Sequence, residues 1–219
     1  MEKLNTGVIG AGYVGLATGA CLAHVGHRMT LVDPDARRVE GLRRGEIPIY
    51  EPGLAEFVSR GRERLRFTTE LAPVVRESDV IFIAVGTPQG EDGSADLSGV
   101  GVVSREIGRA LSGARRERPL VVVNKSTVPV GSGDYVSMMI RDGIEEAGGG
   151  EEIDGFRVVS NPEFLREGSA IYDSLFPDRI VVGADSREAL EVLRTLYGPI
   201  IEQSFPTELD PRPKVAVPF

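Results

Sequence analysis

The chain has 219 residues, of which 41% are hydrophobic and 26% charged, and a formal net charge of −8. That is enough for one large domain with a packed core. It excludes the broad basic surface of non-specific nucleic-acid binding, and no run approaches the roughly 20 apolar residues of a membrane-spanning helix.

The opening residues lead into a strand pattern without a signal-peptide core, so a cytoplasmic protein is expected. Leu4 to Ile9 is the first apolar run. A helical stretch from Val14 to Val25 follows, and Arg28 to Val32 is the second run. Leu65 to Thr68 is a short third. Val80 to Val85 is apolar throughout, as expected for a strand buried on both faces. Asp96 is a candidate N-cap for a helix from Leu97 to Leu111. Leu120 to Val123 is another buried run, and a helix from Ser132 to Ala147 stops at Gly148–Gly150. Phe156 to Val159 and Ile180 to Val182 are the last two strand-like runs, with a helix from Ser186 to Tyr197 after them. Strands alternating with helices predict a doubly wound α/β domain, with a mostly parallel sheet covered by helices on both faces. The sequence shows no internal repeat and no low-complexity segment. Four prolines between Phe205 and Phe219 prevent a regular helix, so residues 205–219 read as an extended tail after a domain of residues 1–204.

The single cysteine, Cys21, excludes an intrachain disulfide and a cysteine-rich metal site. It falls inside the first helical stretch and reads as a core thiol. His24 and His27 read as surface positions at a helix end rather than metal ligands, and no metal is expected.

The first strand runs into Gly10-Ala11-Gly12-Tyr13-Val14-Gly15. Such a G-x-G-x-x-G string is informative only where it leaves a strand and opens a helix, as it does here. Gly10 permits the tight turn, Gly12 lets the backbone approach a pyrophosphate, and Gly15 lets the helix pack closely on the sheet. The helix N-terminus offers unpaired N–H groups to the phosphates. Asp33 ends the second strand 18 residues after Gly15, where a carboxylate accepts ribose hydroxyls. It would repel a 2′-phosphate, so NAD is favoured over NADP. Arg37 and Arg38 point the other way, because a guanidinium there could hold that phosphate. The pattern is that of a Rossmann-type domain. Asp33 as a helix cap for Ala36 onward is the bland alternative.

Further strings extend the pattern: Glu51-Pro-Gly-Leu54, Ala84-Val-Gly-Thr-Pro88, Ala95-Asp-Leu-Ser98, Lys125-Ser-Thr-Val-Pro-Val-Gly131 and Asn161-Pro-Glu-Phe-Leu-Arg-Glu-Gly168. In this order they resemble the UDP-glucose/GDP-mannose dehydrogenase family, from about Leu4 to about Ile201. Pro177-Asp-Arg-Ile-Val181 further resembles its UDP-glucose branch. The resemblance implies that Gly86, Thr87 and Pro88 lie along the cofactor, as do Tyr13, Val14, Arg38, Ser126 and Thr127. It implies that Thr127 helps hold a catalytic water, which suits a group that both donates and accepts. Glu163 would activate that water for thioester hydrolysis, and Glu167 would lie near the nicotinamide. Glu163, Phe164, Leu165, Arg166 and Glu167 would contact the substrate. If their stretch is helical, Glu163 and Glu167 point to one side and repel, so that one should titrate high. A charged helix face is the plain alternative. Lys125 reads equally as a ligand contact or a solvated charge.

The family resemblance implies oxidation of a sugar C6 alcohol to a carboxylate with two NAD and a nucleophilic cysteine. The cysteine segment, the long central helix and the nucleotide-gripping domain of that family have no counterpart here, and Gly131-Ser132 replaces the commoner Gly-Thr. The chain is therefore expected to be the cofactor-binding part of a UDP-glucose 6-dehydrogenase-like protein, as a fragment or an early-ending gene product, and inactive alone. It is expected to be a monomer or weak dimer, where the complete family member would be a homodimer. A stand-alone NAD-binding module with a regulatory role is the alternative.

Overall fold

The structure is a computed structural model and describes residues 2–90, 93–150 and 154–209. Six strands are present among them: β1 (Asn5–Ile9), β2 (Arg28–Val32), β3 (Leu65–Thr68), β4 (Val80–Ile83), β5 (Leu120–Asn124) and β6 (Phe156–Ser160). They form one sheet in the order β3-β2-β1-β4-β5-β6, and every pair is parallel. Parallel neighbours need crossovers, which here are mostly helical. The helices are α1 (Tyr13–His24), α2 (Ala36–Arg44), α3 (Leu54–Arg60), α4 (Leu71–Glu77), α5 (Ser98–Leu111), α6 (Ser132–Glu146), α7 (Ala170–Leu175) and α8 (Arg187–Ile201). The expected doubly wound fold is borne out.

Period-2 alternation explains the two cores. Val80 and Phe82 point into one, with Val8, Val121, Val123 and Val159, under α1, α3, α7 and α8. Ile81 and Ile83 point into the other, with Ile9, Val122 and Leu120, under α4, α5 and α6. α1 is buried from Gly15 through Ala23, as its apolar sequence requires. Cys21 sits there, with burial pushing its thiol up to about 12, so it is the inert core group expected.

α5 starts one residue late, at Ser98, although Asp96 still accepts the Ser98 N–H at 2.8 Å. α8 runs four residues past Tyr197 through Pro199, because Pro199 and Ile200 are buried against the core. Ile180–Val182 is not a strand. Ser160 and Gly183 exchange two 2.8 Å bonds as an isolated antiparallel bridge, and the Val181 carbonyl accepts from the side chain of Asn161 instead of a ladder. His27 is not a surface residue either. It is buried, accepts the Leu4 N–H at 3.2 Å and donates to the Leu196 carbonyl at 3.0 Å, tying β1 to α8. Burial lowers its pKa, favouring the neutral ring those two bonds need.

Residues just past α8 pack on the core. The Phe205 ring lies 5.8 Å from His24 and 5.9 Å from Phe176, and the Pro206 carbonyl accepts from His24 Nε2 at 2.7 Å. A boundary at residue 204 cuts through this packing. Residues 210–219, the rest of the expected tail, lie outside the described residues.

Candidate functional site at the carboxyl edge of the sheet

In an open parallel sheet, ligands collect beyond the carboxyl ends of the strands, at the point where strand order reverses. Here that point is between β1 and β4, since the chain builds outward from β1 in one direction and from β4 in the other. Asp33 follows β2, the glycine loop follows β1, Gly86–Pro88 follows β4, Ser126–Thr127 follows β5 and Glu163–Glu167 follows β6. The candidate residues thus lie in a row across five adjacent strands, roughly 19 Å at about 4.8 Å per step.

The glycine loop is fixed by sterics. Gly10 has φ +104°, in the region that favours glycine, and a Cβ there would meet the Ala84 carbonyl oxygen at 2.6 Å. A Cβ on Gly15 would lie 1.8 Å from the Gly10 carbonyl oxygen. Gly12 is different. A Cβ there meets nothing within 4 Å, and the same holds at Gly86 in the loop after β4. These two glycines face open space beside the start of α1, whose N-cap Gly12 has no side-chain cap. The cradle fits a bound pyrophosphate.

Asp33 is buried with both oxygens engaged. Oδ2 accepts the Ala11 N–H at 3.0 Å and pairs with the Arg38 guanidinium at 2.8 Å, and Oδ1 accepts the Asp35 N–H at 3.0 Å. The acid therefore clamps the glycine loop to the end of β2. The α2 cap is Asp35, which accepts from the Arg37 and Arg38 N–H groups, so Asp33 is not the helix cap. Arg38 turns to the carboxylate, neutralising it in part.

A second chain of bonds crosses β4, β5 and β6. The Thr87 hydroxyl donates to the Thr127 carbonyl at 2.8 Å, and the Thr127 hydroxyl donates to Glu163 Oε1 at 3.1 Å. Ser126 anchors the turn by donating to the Val85 carbonyl at 2.7 Å. Glu163 Oε2 is buried with no hydrogen-bond partner among the described residues. A buried carboxylate oxygen left unpaired is costly unless a ligand or water supplies the donor.

The Glu163–Glu167 stretch is irregular rather than helical. Four-residue spacing therefore does not put both acids on one side, and that argument for a raised acid falls. Segment 161–170 is shaped by side chains instead. Asp173 accepts the Arg166 N–H at 3.1 Å, pairs with its guanidinium through two further bonds, and accepts the Ser169 hydroxyl at 2.9 Å. Burial alone would raise the Asp173 carboxyl, but Arg166 and Ser169 hold it below its ordinary value. Phe164 lies under the Arg179 guanidinium, 4.5 Å from it. A cavity of about 350 Å³ opens beside Glu163, Phe164, Leu165 and Arg166 and reaches inward to Lys125 and Asn161. Glu167 is exposed beyond it.

Lys125 is neither of the expected alternatives in simple form. It is buried, with Nζ 3.4 Å from Asn161 Oδ1, which also accepts the Tyr197 hydroxyl at 2.6 Å. Burial brings its pKa down to about 8, against the pull of the Glu163 charge.

Glu51, Asp173 and Asn161 acquired no role from the sequence, although Glu51 and Asn161 lie in quoted strings. Glu51 is buried and binds Tyr13, Gly168 and Ala170. Those last partners are 117 and 119 residues away, so no local pattern announces them.

The UDP-glucose/GDP-mannose dehydrogenase family NAD binding domain matches residues 4–201. A UDP-glucose 6-dehydrogenase of Pseudomonas aeruginosa is 48% identical over 198 residues, covering 89% of this chain and 42% of that protein. Among solved structures, a UDP-glucose dehydrogenase from the hyperthermophilic archaeon Pyrobaculum islandicum superposes with a TM-score of 0.82 at 42% identity, over 91% of this chain and 45% of that one. A GDP-mannose dehydrogenase from Pseudomonas aeruginosa gives 0.81 at 36% identity, over 89% and 44%. The chain therefore spans less than half the length of these relatives.

Proposed function

The chain belongs to the UDP-glucose/GDP-mannose dehydrogenase family, as its NAD-binding domain, and from that premise we propose that it forms the cofactor side, and one wall of the substrate site, of an oxidoreductase that converts UDP-glucose to UDP-glucuronate with two NAD. The observation that carries this reading is the Thr127–Glu163 pair, with Glu163 Oε2 buried and without a protein partner among the described residues. A module that only senses NAD has no use for an acid and a hydroxyl set up to hold water.

Bound NAD would supply the hydride acceptor for each oxidation of C6. The residues of this chain divide the remaining tasks. Gly12, Tyr13, Val14 and Gly15 receive the pyrophosphate on main-chain N–H groups at the start of α1, and Gly10, whose own N–H bonds the Val32 carbonyl at 2.8 Å, makes the turn that brings them there. Asp33 accepts the ribose hydroxyls, and Arg38 shifts to share it. Gly86, Thr87, Pro88, Ser126 and Thr127 line the path toward the nicotinamide, with Glu167 beyond. Phe164 and Leu165 present a wall to the sugar, and Arg166 contributes its main chain or exposed edge, since Asp173 holds its guanidinium. In the hydrolytic step, Thr127 orients a water and Glu163 Oε2 takes its proton as the water oxygen attacks the thioester carbon. The C–S bond breaks and the thiolate leaves. That sulfur is not Cys21, which is buried in α1.

The test is a titration and a turnover assay on the 219-residue polypeptide. Calorimetry should show NAD binding more tightly than NADP, and Asp33→Asn should narrow the gap by removing the repulsion of the 2′-phosphate. Equal or tighter NADP binding by the unchanged chain would sink the cofactor assignment. With UDP-glucose and excess NAD, no sustained NADH should form. Two NADH per sugar would mean that an unassigned group replaces the cysteine.

A further inference from the structure

Glu51 opens a Pro-Gly turn before α3 and carries no ligand role above, yet its carboxylate is buried in contact with both halves of the site. Oε2 accepts the Tyr13 hydroxyl at 2.5 Å and the Gly168 N–H at 2.9 Å, while Oε1 accepts the Ala170 N–H at 2.9 Å. Tyr13 is the first residue of α1, directly after Gly12, where the pyrophosphate cradle lies. Gly168 and Ala170 close the segment that carries Glu163 to Glu167. Tyr13 also lies 3.2 Å from the Arg166 carbonyl, but its one proton goes to the nearer, charged acceptor. Burial and the Glu51 carboxylate push the Tyr13 phenol above its ordinary pKa, so the proton stays on the phenol.

We propose that Glu51 is a positioning residue that couples the dinucleotide loop to segment 163–170, so that binding of NAD at the loop orders the segment that faces the substrate. The proposal rests on NAD binding at the glycine loop. Segment 161–166 has no regular backbone structure, so its position is set by its side-chain and end ties. One of these, Asp173, is local to it. Glu51 ties the far end of the segment to the cofactor loop through the Tyr13 ring, whose hydroxyl also lies beside the Arg166 carbonyl. A ligand that holds Tyr13 in place holds Glu51 in place, and Glu51 holds Gly168 and Ala170. Linkage makes the effect reciprocal: a segment freed from Glu51 returns less affinity to NAD.

The experiment is hydrogen–deuterium exchange over residues 162–170 with and without saturating NAD, with the NAD Kd measured alongside, in the unchanged chain, Tyr13→Phe and Glu51→Gln. Tyr13→Phe keeps the ring and removes only the hydroxyl, so it tests the link even if the buried Glu51→Gln fails to fold. In the unchanged chain NAD should slow exchange across 162–170. In Tyr13→Phe that slowing should be largely lost and the Kd for NAD should rise roughly fivefold or more, with exchange in the apo protein little altered. A merely structural Glu51 would loosen the segment equally with and without NAD. Two results overturn the proposal: NAD-dependent slowing of the same size in Tyr13→Phe, or NAD binding to the unchanged chain with no effect on 162–170. No NAD binding by the unchanged chain would instead defeat the cofactor assignment on which the proposal rests.

Discussion

The two halves of the site are held by different physics. The half built on β1, α1 and β2 is fixed by main-chain geometry. Gly10 and Gly15 stand where a Cβ would strike a carbonyl, and the buried Asp33 is saturated by N–H groups and Arg38. In the half beyond β6, segment 161–169 has no regular backbone, and buried polar side chains shape it: Glu51, Asp173 and Asn161. Steric exclusion tolerates almost no change but needs no partner. A polar network tolerates conservative change in shape but not in charge or proton count, because each member left unpaired becomes a cost. The loop after β1 is therefore a rigid template, and the segment beyond β6 is adjustable through its ties.

The difference can be broken most severely at Gly15. Adding a single methyl there places it 1.8 Å from the Gly10 carbonyl oxygen, with backbone on both sides of the clash. Gly15→Ala should cost more than about 4 kcal/mol, or prevent folding, as overpacking against main chain does. Urea unfolding of the variant measures it, and a loss under about 1 kcal/mol would show that α1 can shift away from the loop. The corresponding change on the other side should be milder. Asp173→Asn keeps volume but gives up the charge that holds Arg166, and should cost about 1–3 kcal/mol near neutral pH. The native Asp173 carboxyl sits below its ordinary pKa, so its contribution is present above the unfolded carboxyl value and disappears as pH falls through the folded one. The two proteins should accordingly converge in stability in strong acid. A difference that persists there would assign the effect to packing instead.

The same division decides what the sequence revealed. The fold and the cofactor half were legible because they rest on short-range rules: alternation of apolar residues, a strand meeting Gly10-Ala-Gly12, and Asp33 at the next strand end. Thr127 and Glu163 were legible as strings, and the structure brings them to 3.1 Å. The helical reading of Glu163–Glu167 failed because spacing alone cannot sense that Asp173 and Glu51 take the backbone N–H groups a helix would use. Ile180–Val182 failed as a strand for a similar reason, its carbonyl being claimed by Asn161. His27 looked like a surface residue because a histidine after a helix often is one. Its partners, Leu4 and Leu196, are 23 and 169 residues away.

Lys125 gives the sharpest test of whether the polar half carries a charge at a cost. Its amine is buried, and its pKa of about 8 lies below the ordinary lysine value of 10.5. The sign follows from proton counts. Between pH 8 and 10.5 the unfolded chain holds the proton and the folded chain has lost it, so this group's contribution to stability rises with pH across that window. Below pH 8 both states are protonated, and the folded state bears the full cost of a buried ammonium. Lys125→Met removes the charge while filling similar space. The unchanged protein should therefore gain on the variant as pH rises from 8 toward 10.5, by up to about 3 kcal/mol, and run parallel to it below pH 8. Comparing the two cancels the opposing titration of Cys21, whose thiol is raised by burial and favours unfolding above its ordinary pKa. Paired urea titrations at pH 7, 8, 9 and 10 supply the measurement. A constant difference over that range would mean that Glu163 and Asn161 stabilise the ammonium enough to keep an ordinary lysine pKa, and that the polar half holds its charge without cost.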